Sequence, residues 1–326
     1  MRLYLILLFF STIGICQELS KGCRLMEFDY NGDPVDLFII SESGEEYLKK
    51  PLLVFLQGSL ARPIGVKSEY GYQPFLPPFR NDSLRKKYHI IVFSKAFIPP
   101  FTNPEDLNDQ HIYLDENGDI PKDFLTRDYL EYYVDRNNYV LDQLLKEDWV
   151  DSTRIIISGH SQGSSVGAFM ADKNESITHL IYASGNPYGR ILRTLGQIRD
   201  VEDSLNYTQG TFQKFKEAVL NPSDDFNENG GDSNKSTYSF NQKANQILLS
   251  LEIPILIVYG SKDKNTPFID LLQIEAIRSN NQHLDFSEYT GTDHNFFPVD
   301  MQGNVDYGVN NWEKVAEDWY NWLEKN

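Results

Sequence analysis

Arg154-Ile155-Ile156-Ile157-Ser158-Gly159-His160-Ser161-Gln162-Gly163 joins two kinds of pattern at one serine. The first five residues are a β-branched run of the kind a buried parallel strand needs. Beyond the serine, Ser164-Ser165-Val166-Gly167-Ala168-Phe169-Met170 is small near the turn and then apolar at helical spacing. A strand that turns sharply into a helix holds one side chain up in a strained backbone, with a helix N-terminus beneath it. Gly159 and Gly163 let neighbouring chain approach where a Cβ would collide. The bare Gly-x-Ser-x-Gly pattern arises readily by chance, and a serine in it can simply start a helix. The strand before and the helix after select Ser161 as a nucleophile.

Working outward, Asp36–Ile40, Leu52–Leu56, His89–Phe93, Thr178–Tyr182, Ile255–Tyr259 and Leu284–Tyr289 read as further strands, with Asn31-Gly32 as a turn before the first. A long helix is predicted over Arg127–Glu147, with Leu130, Val134, Leu141, Leu144 and Leu145 as its apolar stripe. A closing helix carries Trp312, Val315, Trp319 and Trp322 as core packing. The stretch between Leu56 and His89 reads as a long loop rich in proline and aromatics. Strands alternating with helices imply an α/β protein, a mostly parallel doubly wound sheet covered on both faces. The rhythm breaks from about 185 to 250, with helical pieces at Ile191–Leu205 and Phe212–Leu220 and then the polar run Asn221–Ser236. That interval is expected to be a helical, lid-like insertion in one domain spanning 17–326. No internal repeat is visible.

Two more motifs follow the serine in chain order. Tyr259-Gly260-Ser261-Lys262-Asp263-Lys264-Asn265-Thr266-Pro267 is a strand end with an aspartate three residues after its glycine. Gly291-Thr292-Asp293-His294-Asn295-Phe296 is a loop carrying a histidine beyond a strand. With these and the turn at Ser161, the chain from about Leu52 to its end resembles the α/β-hydrolase superfamily, which shows the order Ser, Asp, His. The residue chemistry agrees with that resemblance. Serine needs a base to take its proton; His294 supplies one, and Asp263 fixes its tautomer and stabilises the imidazolium. Asp293 is too close in sequence to serve, and Asp270 falls inside a helix. His89 and His179 lie in strand runs and read as structural, His160 is expected to point away from Ser161, and His111 and His283 have no supporting pattern.

A developing oxyanion needs donors. The backbone N–H of Gln162 is one. The resemblance places the second after Leu52–Leu56, where such families carry His-Gly and then the donor. Here Gln57-Gly58-Ser59 stands instead, so the N–H of Ser59 is expected to serve, with Leu60 as the near alternative.

The chain has 326 residues, a net charge of −17, 40% hydrophobic and 13% aromatic residues. That is ample for a large core. The acidity argues against nucleic acid and against anionic membranes. Residues 1–16 read as a secretory signal peptide whose cleavage leaves Gln17 first, so a secreted or periplasmic location is expected. A lipoprotein acylated at Cys16 is the alternative, and only that form would be held at a membrane. After cleavage Cys23 is the sole cysteine, so the mature chain has no internal disulfide and no thiolate metal site. Asn81, Asn174, Asn206 and Asn234 sit in Asn-x-Ser/Thr triplets. Asp225–Gly230 matches half a calcium loop, but Ser236 stands where the bidentate glutamate belongs, so a solvated loop is expected there and at Asp115–Asp119. No cofactor or metal is expected.

These readings predict a serine hydrolase cleaving a small carboxylic ester through a covalent acyl-enzyme. Its kcat/KM should fall on acidification because a protonated base accepts nothing. A peptidase of prolyl-oligopeptidase type acting on short peptides is the first alternative, although the residues before the first strand are too few for that group's propeller. A non-catalytic binding protein on the same fold is the second.

Overall fold

The computed structural model describes residues 19–202, 206–228 and 231–326. The signal-peptide reading, with Cys16, lies outside the described residues. A hairpin opens the chain: β1 (Cys23–Tyr30) and β2 (Asp33–Ile40) pair antiparallel across Asn31 and Gly32. Both turn residues have positive φ, 56° and 88°, the twist a two-residue hairpin prefers. The Asn31-Gly32 turn is visible in the sequence, whereas β1 itself is an addition from the structure.

After β3 (Lys50–Leu56) the aromatic stretch is not all loop. It holds β4 (Gly65–Ser68), β5 (Gly71–Pro74) and the short helix α1 (Asp82–Lys87). Then come β6 (His89–Phe93) and β7 (Phe101–Thr102), the latter pairing with β4 to make a small second sheet in the order β5-β4-β7. The expected single helix over 127–147 is two helices, α2 (Lys122–Arg127) and α3 (Leu130–Leu144). The chain leaves helical geometry at Asp128 and Tyr129, because the Asp128 carboxylate is buried in a bond to Gln162.

The remaining elements alternate except for one run of four successive helices. They are β8 (Val150–His160), α4 (Gln162–Lys173), β9 (His179–Ala183), α5 (Arg190–Val201), α6 (Tyr207–Leu220), α7 (Asn234–Ser239), α8 (Asn245–Ser250), β10 (Ile255–Gly260), α9 (Thr266–Arg278), β11 (Leu284–Tyr289) and α10 (Trp312–Leu323). The excursion between β9 and β10 is helical, as its patterning predicts. Leu205, the end of the first predicted piece, lies outside the described residues, as do Asn229 and Gly230 of the half calcium loop.

The large sheet runs β1-β2-β6-β3-β8-β9-β10-β11, parallel from β6 onward. Its central strands are apolar throughout because both faces are covered. Leu52, Val54, Ile155, Ile157, Ile255 and Ile257 face the layer containing α3, α4 and α9. Leu53, Phe55, Ile156, Leu256 and Val258 face α1 and α10. Phe240, Ala244 and Leu248, late in the excursion, join the first of these cores, so that end is sheet covering.

Candidate active site

Ser161 follows the last residue of β8 at φ 57°, ψ −118°, a strained conformation for a residue with a Cβ. Such a residue costs about 1–3 kcal/mol and persists only where its surroundings over-determine it. Here they do. A Cβ on Gly159 would sit 2.2 Å from the Gly163 carbonyl oxygen, and one on Gly163 would sit 2.1 Å from that of Leu56. The Ser161 N–H donates to the Ala183 carbonyl at 2.9 Å. The Ser164 hydroxyl donates to the Ser161 carbonyl at 2.5 Å.

The structure brings Ser161, Asp263 and His294 together. His294, on the loop after β11, has Nε2 2.9 Å from Ser161 Oγ and Nδ1 2.7 Å from Asp263 Oδ2. Asp263 follows β10 with its side chain 1% exposed. Burial pushes its carboxyl up, but the His294 hydrogen bond and charge, the Asn265 N–H and the Arg193 cation outweigh this and hold it below the usual range. Asp293 shapes the loop instead, accepting the N–H groups of Asn295 and Phe297 at 2.8 and 2.9 Å. Asp270 lies in α9.

His160 has a part that its position in the sequence conceals. Its Nε2 donates to the His294 carbonyl at 2.9 Å, and its ring packs against Trp312. A carbonyl only accepts, so this imidazole carries its proton on Nε2. Burial and the neighbouring His294 push its pKa down to about 3. His89 is structural, between the Ser41 hydroxyl and the Leu48 carbonyl, and His179 is packed in β9 against Trp322.

Gln162 opens α4, so its N–H is among those a helix leaves without an intrahelical acceptor. The loop after β3 crosses the nucleophile: a Cβ on Gly58 would sit 3.6 Å from Ser161 Cβ. Ser59 follows in that loop and lines the same cleft as Ser161, with Leu60 beside it. Gln57, at the position of the usual histidine, donates from Nε2 to the Phe93 carbonyl at 3.3 Å, tying the loop to the end of β6. Behind Gln162 lies a buried polar chain. Its Nε2 donates to Asp128 Oδ1 at 3.0 Å, and Lys95 Nζ stands 4.0 Å from the same oxygen and 4.6 Å from the Tyr133 ring centre. Burial raises the Asp128 carboxyl and lowers the Lys95 ammonium to about 8. No motif announces these residues, and the break at Asp128 is seen only in the structure.

The cleft over Ser161 has a volume of about 820 Å³. Phe55, Phe75, Leu76, Phe297, Tyr307 and Trp312 supply apolar wall, so Trp312 serves both core and cleft. Arg62, Arg193, Asp109 and His111 line it besides His160 and His294. Among the described residues no group of three or more His, Cys, Asp or Glu side chains is placed to hold a metal.

No family model and no curated protein matches the chain. Solved structures do. Est1E from Butyrivibrio proteoclasticus superposes with a TM-score of 0.52 at 14% identity, over 92% of this chain and 98% of that one. The 2,6-dihydroxy-pseudo-oxynicotine hydrolase gives 0.53 at 15%, over 93% of this chain and 68% of that one. Porphyromonas gingivalis dipeptidyl peptidase 4 gives 0.55 at 16%, over 93% of this chain but 35% of the peptidase. The fold is that of the α/β hydrolases, with the large, mostly parallel sheet described above.

Proposed function

We propose that the protein is a serine hydrolase that cleaves a carboxylic ester. The observation that carries this reading is His294 bridging Ser161 Oγ and Asp263 Oδ2 at 2.9 and 2.7 Å. In the proposed cycle Ser161 Oγ bonds to the ester carbonyl carbon while its proton passes to His294 Nε2. The carbonyl oxygen becomes an oxyanion held by the N–H groups of Gln162 and Ser59. Collapse breaks the carbon–oxygen bond, and the alcohol leaves with the proton from His294. Water, deprotonated by the same imidazole, then attacks the acyl-serine; the acid departs and Ser161 regains its proton. Asp263 keeps Nδ1 protonated throughout.

Two observations favour a small ester over a peptide. The likeness to Est1E runs through nearly the whole of both chains, whereas that to the dipeptidyl peptidase covers about a third of the peptidase. The cleft also offers two arginines and one exposed carboxylate, a poor host for a free peptide ammonium. The peptidase reading rests on the match over 93% of this chain. Export remains an expectation from residues 1–16.

The test begins with a fluorophosphonate and the intact mass of the protein beside Ser161→Ala. One adduct, absent in the variant, establishes an activated serine. Ester turnover should then fall by at least ~10⁴-fold in Ser161→Ala, since the triad acts as a unit. Cleavage of peptide nitroanilides without ester turnover would select the peptidase, and a folded protein that takes no adduct would select the binding protein.

A further inference from the structure

Arg62 and Arg193 both line the cleft that holds Ser161, and neither has its charge met by an acid of its own. Arg62 donates from Nε to the Gln110 carbonyl at 2.9 Å. Among the described residues its other side-chain N–H groups have no hydrogen-bond acceptor, and no carboxylate lies within 4.0 Å of it. Burial alone shifts its guanidinium, downward, with no acidic neighbour offsetting it. Arg193 comes from α5, its Nε buried and without a hydrogen-bond partner among the described residues. Its nearest acid, Asp263 at 3.8 Å, is already engaged by His294 and by the Asn265 N–H. Asp109 also lines the cleft, but it is exposed and forms no ion pair with either arginine.

A partly buried guanidinium without a counter-charge is costly. A chain with 47 acidic residues against 30 basic ones nevertheless leaves Arg62 without an acid and Arg193 with only a share of Asp263, both lining the cleft of the nucleophile. A planar fork of N–H donors matches a carboxylate in particular. Resting on the esterase reading, we propose that the substrate carries a carboxylate in addition to its scissile ester, and that Arg62 grips it. Arg193 adds positive potential from α5, and the Phe75, Leu76 and Trp312 surfaces take the apolar part of the same molecule. Asp109 at the rim repels substrates whose charge is misplaced.

The test compares matched esters at the acyl and alcohol ends. 4-Nitrophenyl hemiadipate is set against 4-nitrophenyl hexanoate, and 4-acetoxyphenylacetate against 4-acetoxyphenylacetamide. The carboxylate member of at least one pair is expected to show a kcat/KM at least tenfold higher at low salt. That advantage should shrink at 0.5 M salt, collapse toward one in Arg62→Gln and survive in part in Arg62→Lys. Binding of adipic mono-anilide and hexananilide to Ser161→Ala, followed by calorimetry, reads the same preference without turnover. Equal handling of both members in turnover and in binding overturns the proposal, as does a preference that Arg62→Gln leaves intact. Absent ester turnover with the anilide preference present and dependent on Arg62 refutes the esterase reading while supporting the anion site.

Discussion

The turn around Ser161 and the excursion between β9 and β10 both border the cleft, and they are held in opposite ways. Eight of the twelve residues of α4 are buried. By contrast α5 buries only Leu195, and α6 only Thr208 and Ala218. Val201 and Leu220 on these helices stay 76% and 66% exposed. Around Ser161, backbone touches backbone so closely that a single methyl group has no room. The excursion instead has its last third packed into the core, while its first helices bury little. The difference follows from what each must do. A nucleophile has to be aimed within fractions of an ångström, whereas a substrate wall can yield, and sparse burial leaves a segment at the low end of local stability.

The same substitution made in both regions would break this comparison most directly. Gly163→Ala puts a methyl carbon 2.1 Å from the Leu56 carbonyl oxygen. We expect a loss of ~10³-fold or more in kcat/KM and a destabilisation above about 3 kcal/mol, as for severe overpacking. A variant with near-normal turnover and urea midpoint would show that the turn is not rigid.

The next effect concerns pH. His160 binds its proton less readily folded, at about 3, than unfolded, at about 6.5. The unfolded chain therefore holds more protons between those values, so this group's contribution is full at neutral pH and is lost as pH falls below about 6.5. By pH 5 the loss from this residue is about 2 kcal/mol. His89 and His179, lowered by burial, act in the same direction. Urea unfolding from pH 7 to 4 should show the fall, and His160→Gln should flatten it; identical slopes in the two proteins would remove His160 from the account.

The buried chain behind Gln162 sharpens the comparison at the level of aim. Asp128→Leu takes away the acceptor of the Gln162 side chain. Losing a whole oxyanion donor costs ~10²–10³-fold, so a misdirected one should cost about tenfold in kcat with KM little changed. Asp128→Asn keeps an acceptor and should recover part of the loss; equal kcat in the Leu and Asn variants would show that the bond to Gln162 has no part in the aim. The smallest effect has the opposite sign. A methyl group added at Gly210 in α6 would have nothing within 4 Å of it, so Gly210→Ala should stabilise by about 0.5–1 kcal/mol. A loss of stability in calorimetry would mean that α6 is more tightly packed than its exposure indicates.

Much of this molecule was legible in the chain because its rules are short-ranged. The runs Ile155-Ile156-Ile157 and Ile255-Leu256-Ile257 are apolar at every position because both faces of their strands are covered, and the serine, aspartate and histidine follow strands in recognisable order. The structure then places those three within hydrogen-bond reach of one another. The hairpin strand β1 was missed because its residues are mostly half-buried and mixed in polarity. The sheet β5-β4-β7 was missed because its strands have two to four residues each and are hidden among prolines and aromatics.

Sequence alone determined the alternation of strands and helices, the turn that lifts Ser161, and the order in which Asp263 and His294 follow it. Each depends on local period or on residues a few positions apart. Tertiary structure alone decided that His160 braces a loop 134 positions away, that Asp128 leaves helical geometry and meets Gln162, and that Arg62 and Arg193 share one cleft without a carboxylate of their own. Burial and proximity between distant segments set those outcomes, because a side chain's charge and hydrogen bonds take their energy from what surrounds them once the chain has closed.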